Sequence, residues 1–224
     1  MVVVGVDTSG DRVGVGVIAD GIPIAETLIP AENRSLPRIL PAIDRVLVDA
    51  SRSIRDVDLF SVVVGPGSWT GLRLGVTTVK TLAYALGAPA VGTDTFTALA
   101  YGVRYAGRPV IAVVGARGGL VFVAEYRTER GRPAQVAAPH LVPLESLPTH
   151  VSDLALIVGD VPAHQLSALP SQCLVASPRY GVVSPIAVAE AGLHRFEEAG
   201  PAEIRSLVPE YLKEPELTLA TEPR

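Results

Sequence analysis

The chain has 224 residues, 48% of them apolar and 19% charged, with a formal net charge of −4. That apolar fraction excludes an intrinsically disordered chain, and the length provides for one large domain or two small lobes with their own cores. The acidic balance argues against a protein that grips a phosphate backbone by itself, because such affinity comes from neutralising phosphates.

In chain order, Met1–Val6 reads as a strand ending at the polar cluster Asp7-Thr8-Ser9-Gly10-Asp11. Val13–Ile18 is a second strand, Asp20-Gly21 a hairpin turn and Ile22–Ile29 a third strand. Leu36, Ile39, Leu40, Ile43, Val46, Leu47 and Ala50 follow at helical spacing, with Ser35 as an N-cap and Pro37 in the first turn. Pro41 fits such a helix only if the helix begins late. Leu59–Val64 is a buried strand that runs into Gly65-Pro66-Gly67-Ser68-Trp69-Thr70-Gly71, and a helix from Leu72 to about Leu86 is closed by Gly87 and Pro89. Pro89–Gly92 reads as a short strand and Thr95 to about Tyr105 as a helix.

After a break at Ala106–Pro109, a second group of strands is expected at Val110–Val114, Leu120–Tyr126, Gln135–Ala138 and Leu154–Val158. Ser184 or Pro185 opens a helix through about Glu197, and the tail from Pro201 to Arg224 is rich in Pro and Glu, with a loose end. A meander, then helix–strand–helix–strand, then a second strand-rich half, is the order of an actin/hexokinase-type pair of lobes. The expected division is 1–106 as an N-terminal lobe, 107–200 as a smaller second lobe, and 201–224 as a tail packing back on the first.

The lone Cys173 cannot form an internal disulfide, and it reads as a small buried hydrophobe in a reducing compartment. No cationic leader and no apolar run near the ~20 residues that span a bilayer is seen, so a cytoplasmic protein without membrane contact is expected.

The informative stretch is Gly65 to Gly75, a strand end feeding a glycine-rich turn that opens a helix. Backbone N–H groups at such a turn can hold an anion. It lacks the Lys of a Walker A loop, and Thr70 stands where a dinucleotide fingerprint needs glycine. Ser68 or Thr70 is placed as N-cap. Gly71 and Gly75 share one helix face, which asks for the close approach of another backbone, either the chain's own first helix or a second subunit.

Gly65-Pro66-Gly67-Ser68-Trp69-Thr70-Gly71-Leu72-Arg73 resembles the signature of the TsaB/YeaZ family, with Trp69 where phenylalanine is usual. Val4–Ser9, Ala116-Arg117-Gly118 through Tyr126, and Tyr211-Leu212-Lys213 are similar to further segments of that family. Two departures are Asn33-Arg34-Ser35, where His-Ser-Glu is frequent, and Gly115, where Asp is usual. The resemblance implies an α/β, two-lobed actin/hexokinase-like (ASKHA, RNase H-like) fold with mixed sheets flanked by helices. It implies a non-catalytic subunit that activates the catalytic relative TsaD in threonylcarbamoylation of the adenosine 3′ of the anticodon in tRNA. The ATPase TsaE joins the assembly, the chain alone forms a homodimer, and tRNA is met only indirectly.

Family members pair through the helices near Leu36–Ala50 and Thr70–Leu86, so the interface candidates are Leu36, Leu40, Ile43, Leu47, Gly71, Leu74, Gly75 and Thr78. Arg73 would reach a carboxylate or phosphate at the junction, or lie solvated on the helix. Asp7, Thr8 and Ser9 are candidates for a degenerate nucleotide site or a plain hairpin turn. No firmly bound cofactor is expected, and ATP or ADP would sit at a subunit junction.

Two other functions were weighed. A small-molecule kinase or ATPase of the same superfold needs a second carboxylate near Gly115–Gly119, and no Asp is there. A glycoprotease-like peptidase needs a nucleophile with a base, whereas Ser171–Val175 around Cys173 reads as a strand. No metal site is expected, because no two of His140, His150, His164 and His194 stand three or four apart.

Overall fold

A computed structural model describes residues 1–31, 36–177 and 180–212, the side chains of Leu36, Pro37, Ala163 and Leu166 excepted. The Ser35 cap, the Asn33-Arg34-Ser35 departure, Lys213 and the end of the tail lie outside the described residues.

Strands β1 (Val2–Asp7), β2 (Arg12–Ala19) and β3 (Ile22–Pro30) form the expected antiparallel meander. Asp20 and Gly21 both take positive φ (51° and 76°), the two-residue turn that matches strand twist. β4 (Leu59–Gly65) and β5 (Ala90–Asp94) then add in parallel, giving the order β3-β2-β1-β4-β5. β1, β2 and β4 are buried almost throughout, so this sheet needs cover on both faces.

One face is covered by α1 (Leu36–Asp49) and α2 (Trp69–Leu86). Ile39, Ile43, Val46 and Leu47 of α1 and Val76, Val79 and Ala83 of α2 pack with Val4, Val15, Phe60 and Val62. α2 begins three residues before the expected Leu72, because Ser68 caps it by accepting from the Gly71 N–H at 3.2 Å. Pro41 lies inside α1, whose start is not late; the residue is exposed, on the side away from the sheet.

The other face is covered by α4 (Pro185–Ala199), which sequence order had placed with residues 107–200. It packs on β1 and β2 because Gly5 and Gly16 leave room: a Cβ at Gly5 would lie 2.2 Å from the Pro185 carbonyl, and one at Gly16 2.8 Å from the Ile186 N. Ser61 Oγ donates to the Val188 carbonyl at 2.8 Å and fixes the helix on β4. The described part of the tail also returns to this sheet, with Leu207 buried in its core.

The second sheet contains β6 (Val110–Gly115), β7 (Leu120–Glu129), β8 (Arg132–Gln135), β10 (Leu156–Gly159) and β11 (Leu174–Val175) in the order β11-β10-β6-β7-β8, while β9 (His140–Pro143) pairs with β7. The strand expected at 135–138 resolves into β8 and β9 on either side of it, and the strand around Cys173 shrinks to two residues. Between the sheets lies α3 (Thr95–Gly102), capped by Asp94, which accepts from the Thr97 N–H at 2.9 Å. Val63, Leu72 and Phe96 meet Val110, Ala112 and Tyr126 in a shared core.

Candidate functional site

The glycine-rich stretch is bound to the end of β1. Ser68 N–H donates to the Ser9 carbonyl at 2.7 Å, and Thr8 Oγ1 donates to the Gly71 carbonyl at 2.7 Å. A Cβ at Gly67 would stand 2.5 Å from the Ser9 carbonyl oxygen, at Gly71 1.9 Å from the Thr8 carbonyl oxygen, and at Gly75 2.3 Å from Thr8 Oγ1. Three glycines at spacing four thus admit residues 8 and 9 of the same chain. Of the two neighbours expected for Gly71 and Gly75, the chain's own first helix or a second subunit, neither is the one met within the chain, which is the β1–β2 loop. On the far side, Thr95 Oγ1 donates to the Pro66 carbonyl at 2.5 Å.

Two more interface candidates, Ile43 and Leu47, lie in the core of the chain itself. Each is 2% exposed, because the sheet below needs both. Leu74 packs partly into the same core, and Thr78 is half-buried with its hydroxyl turned back to the Leu74 carbonyl at 2.8 Å. Leu40 is 54% exposed, and the side chain of Leu36 lies outside the described residues. The exposed positions of the helix pair are instead Leu40, Pro41, Asp44, Arg45, Val48 and Asp49 on α1, and Trp69, Thr70, Arg73, Thr77, Thr81, Tyr84 and Ala85 on α2. Subtracting the core stripe Leu72–Val76–Val79–Ala83 from α2 would have found that face in the sequence.

Trp69, half-exposed at the start of α2, stacks on Tyr211 with ring centroids 4.0 Å apart and planes at 25°. The Arg73 guanidinium lies 4.5 Å from the Trp69 centroid, so within the chain its partner is an aromatic face. The Tyr211 hydroxyl oxygen is buried, with no hydrogen-bond partner among the described residues.

Between the lobes is a cleft of about 870 Å³. Asp7, Ser9, Gly67 and Thr95 line one wall, and Val113, Gly159, Asp160 and Ser177 the other. Asp7 is buried; its Oδ1 accepts from the Ser9 N–H at 2.8 Å. Burial pushes its pKa up to about 6, against the opposing hydrogen bonds from Ser9 and the Thr8 backbone. The second wall carries a carboxylate after all: Asp160 Oδ2 accepts from the Gly115 N–H at 3.0 Å. It comes from beyond β10, so a search of residues 115–119 misses it.

The other chemistry-bearing residues are less organised. Cys173 has its sulfur 3.8 Å from the Leu174 carbonyl, and burial raises its pKa, the reverse of an activated nucleophile. His140 and His150 are brought together from different elements, ring centroids 5.8 Å apart, but among the described residues no third metal ligand joins them. Among the described residues no helix is long and apolar enough to cross a membrane.

Comparison with known proteins agrees with this geometry. The chain is 27% identical over 220 residues to the tRNA threonylcarbamoyladenosine biosynthesis protein TsaB of Bacillus subtilis, covering 95% of this chain and 94% of that one. It is 31% identical over 134 residues to the tRNA N6-adenosine threonylcarbamoyltransferase of Moorella thermoacetica, covering 55% of this chain and 39% of that one. A solved Pseudomonas aeruginosa structure, described as similar to peptidase YEAZ, superposes with a TM-score of 0.81 at 19% identity, covering 95% of this chain and 99% of that one. That likeness shows the fold, a mixed α/β one with two sheets flanked by helices. The family model described as TsaD, tRNA N6-adenosine threonylcarbamoyltransferase, matches residues 30–152, more than half of the 224, and with its TsaB-named relatives the chain belongs to the TsaB/YeaZ family.

Proposed function

We propose that the chain is a non-catalytic subunit that binds and activates a catalytic relative of the TsaD type in threonylcarbamoylation of the adenosine 3′ of the anticodon in tRNA. The names of its relatives place them in this pathway, and the matches extend to the transferase itself. The observation that carries the reading is the outer face of α2. Thr70, Thr77, Thr81, Tyr84 and Ala85 form a stripe whose one charge is Arg73, beside exposed Leu40 and Val48 of α1, while Ile39, Ile43, Val46 and Leu47 of α1 and Val76, Val79 and Ala83 of α2 are already buried in the core. Depletion of charge with an aromatic at its centre is the composition of an interface core. Tyr84 is 81% exposed and gives the stripe a large ring for a partner to cover.

The net charge of −4 fits a subunit that leaves tRNA to its partners. On this reading the site of action is cytoplasmic, the same face pairs two copies when the chain is alone, TsaE joins the assembly, and ATP or ADP has its place at a subunit junction. The test is co-purification and reconstituted modification with the TsaD-type subunit. Tyr84→Arg, on a surface position, is expected to weaken association at least about 30-fold with the unfolding midpoint unchanged. Wild-type association by this variant overturns the placement, and full-rate modification without the chain overturns the function.

A second reading, a small-molecule kinase or ATPase of the same superfold, is favoured by one observation: the cleft has a carboxylate on each wall, Asp7 and Asp160. They fit a phosphate-bound divalent cation only in part. Asp7 already accepts from Ser9 and the Thr8 backbone, and Asp160 commits one oxygen to Gly115.

A further inference from the structure

We infer that Tyr211 is a positioning residue that sets Trp69 and Arg73 at the partner-facing end of α2, so that the docking surface is built jointly by the signature loop and the C-terminal segment. This rests on the α2-face reading above and names which residues complete that face.

The segment from Pro201 to Leu212 is pinned by its backbone. Lys80 Nζ donates to the Leu207 carbonyl at 2.9 Å and to the Arg205 carbonyl at 3.3 Å. Glu210 N–H donates to the Val64 carbonyl at 2.7 Å. Gly65 makes this last contact possible. Its φ of +140° is a conformation that side chains disfavour, and a Cβ there would stand 2.2 Å from the Glu210 carbonyl oxygen. The first glycine of the signature therefore admits the C-terminal segment, just as Gly67, Gly71 and Gly75 admit residues 8 and 9.

What this attachment delivers is Tyr211, stacked on Trp69 at 4.0 Å. The indole is left 43% exposed, with Arg73 against it at 4.5 Å. Trp, Tyr and Arg are the residues that dominate binding energy at interfaces, the aromatics because they carry large rigid area with few rotamers and Arg because its planar fork makes paired hydrogen bonds. Stacking them beforehand removes ordering cost from the docking step. A guanidinium lying on a ring keeps its N–H edge free for a carboxylate. The first turn of α2 has no acidic residue, so nothing there competes for Arg73 or cancels the helix dipole. The fitting partner is the TsaD-type subunit, offering an apolar recess to Trp69 and a carboxylate to Arg73.

Trp69 is the one tryptophan of the chain, so 5-fluorotryptophan labelling gives a single ¹⁹F resonance at the site. Titration of the full-length labelled chain with the TsaD-type subunit is expected to move that resonance. Tyr211→Ala and Trp69→Ala should each raise Kd by about 30-fold, with the double variant within about threefold of the worse single one. Tyr211→Phe should bind like wild type, since the hydroxyl has no partner among the described residues and the ring stack survives. Tyr211→Leu, which keeps the segment apolar without the stack, should behave like Tyr211→Ala and guards against loss of folding. Binding of Tyr211→Leu within about threefold of wild type, with a shifted ¹⁹F resonance, overturns the inference, as do additive losses in the double variant. A resonance that moves on self-association but not with the TsaD-type subunit overturns the choice of partner. Tyr84→Arg separates the two ideas. If it binds normally the α2 face is not the interface, whereas if it fails while Tyr211→Leu binds, only the role of Tyr211 falls.

Discussion

Asp7 shows how much one side chain of this protein costs its fold. The carboxyl is 3% exposed, and its pKa is about 6 against an ordinary 3.8. A folded-state pKa above the unfolded one means that the folded chain holds the proton more tightly. Below about pH 4 both states are protonated and Asp7 costs nothing; between about 4 and 6 stability falls, and above that the penalty is complete at roughly 3 kcal/mol. Asp7→Asn keeps the acceptor for the Ser9 N–H and removes the charge. It is expected to be more stable than the parent by roughly 2–3 kcal/mol at pH 7.5, with the difference vanishing near pH 4, as read from urea unfolding at a series of pH values. A pH-independent difference would show that Asp7 ionises freely. The sequence marked Asp7 as notable from its polar turn. Its burial came from the signature loop and the cleft walls, which lie far along the chain.

At the scale of elements, α2 is tied at its start to its own β1–β2 loop through Thr8 and Ser9. Its glycine face was read as asking for the approach of another backbone, and the structure supplies that backbone at Thr8. Gly71→Ala would place a methyl 1.9 Å from the Thr8 carbonyl oxygen, a rigid backbone atom. We expect a loss of about 3 kcal/mol in urea unfolding, the upper range for overpacking, whereas Thr77→Ala on the exposed face should stay within about 0.5 kcal/mol. Equal effects would mean that α2 can slide on the loop. The elements themselves were legible because apolar period and punctuation are local: the meander, the α2 cap and the C-terminal helix all follow from neighbours within a few residues. The misread places, residues 135–138 and the stretch around Cys173, are short edge segments where pairing with a neighbour decides strand or loop.

For the whole molecule, the two lobes bring Asp7 and Asp160 to opposite walls of one cleft, and this bears on whether the chain turns over substrate by itself. If it is a partner subunit, purified chain should hydrolyse ATP at the same background rate as Asp7→Asn and Asp160→Asn. Turnover that falls at least about tenfold in both variants would establish phosphotransfer in the cleft. The same scale separates what each source of information could decide. The sequence by itself determined the order of elements, the helix and strand faces, and the signature that marks the family, since each is carried by residues close together in the chain. Only the tertiary structure decided that α4 covers the first sheet, that Asp160 reaches Gly115, that Gly71 and Gly75 pack inward, and that Trp69 meets Tyr211. Those contacts join distant positions, and they depend on sheet order and helix placement, which no local period encodes.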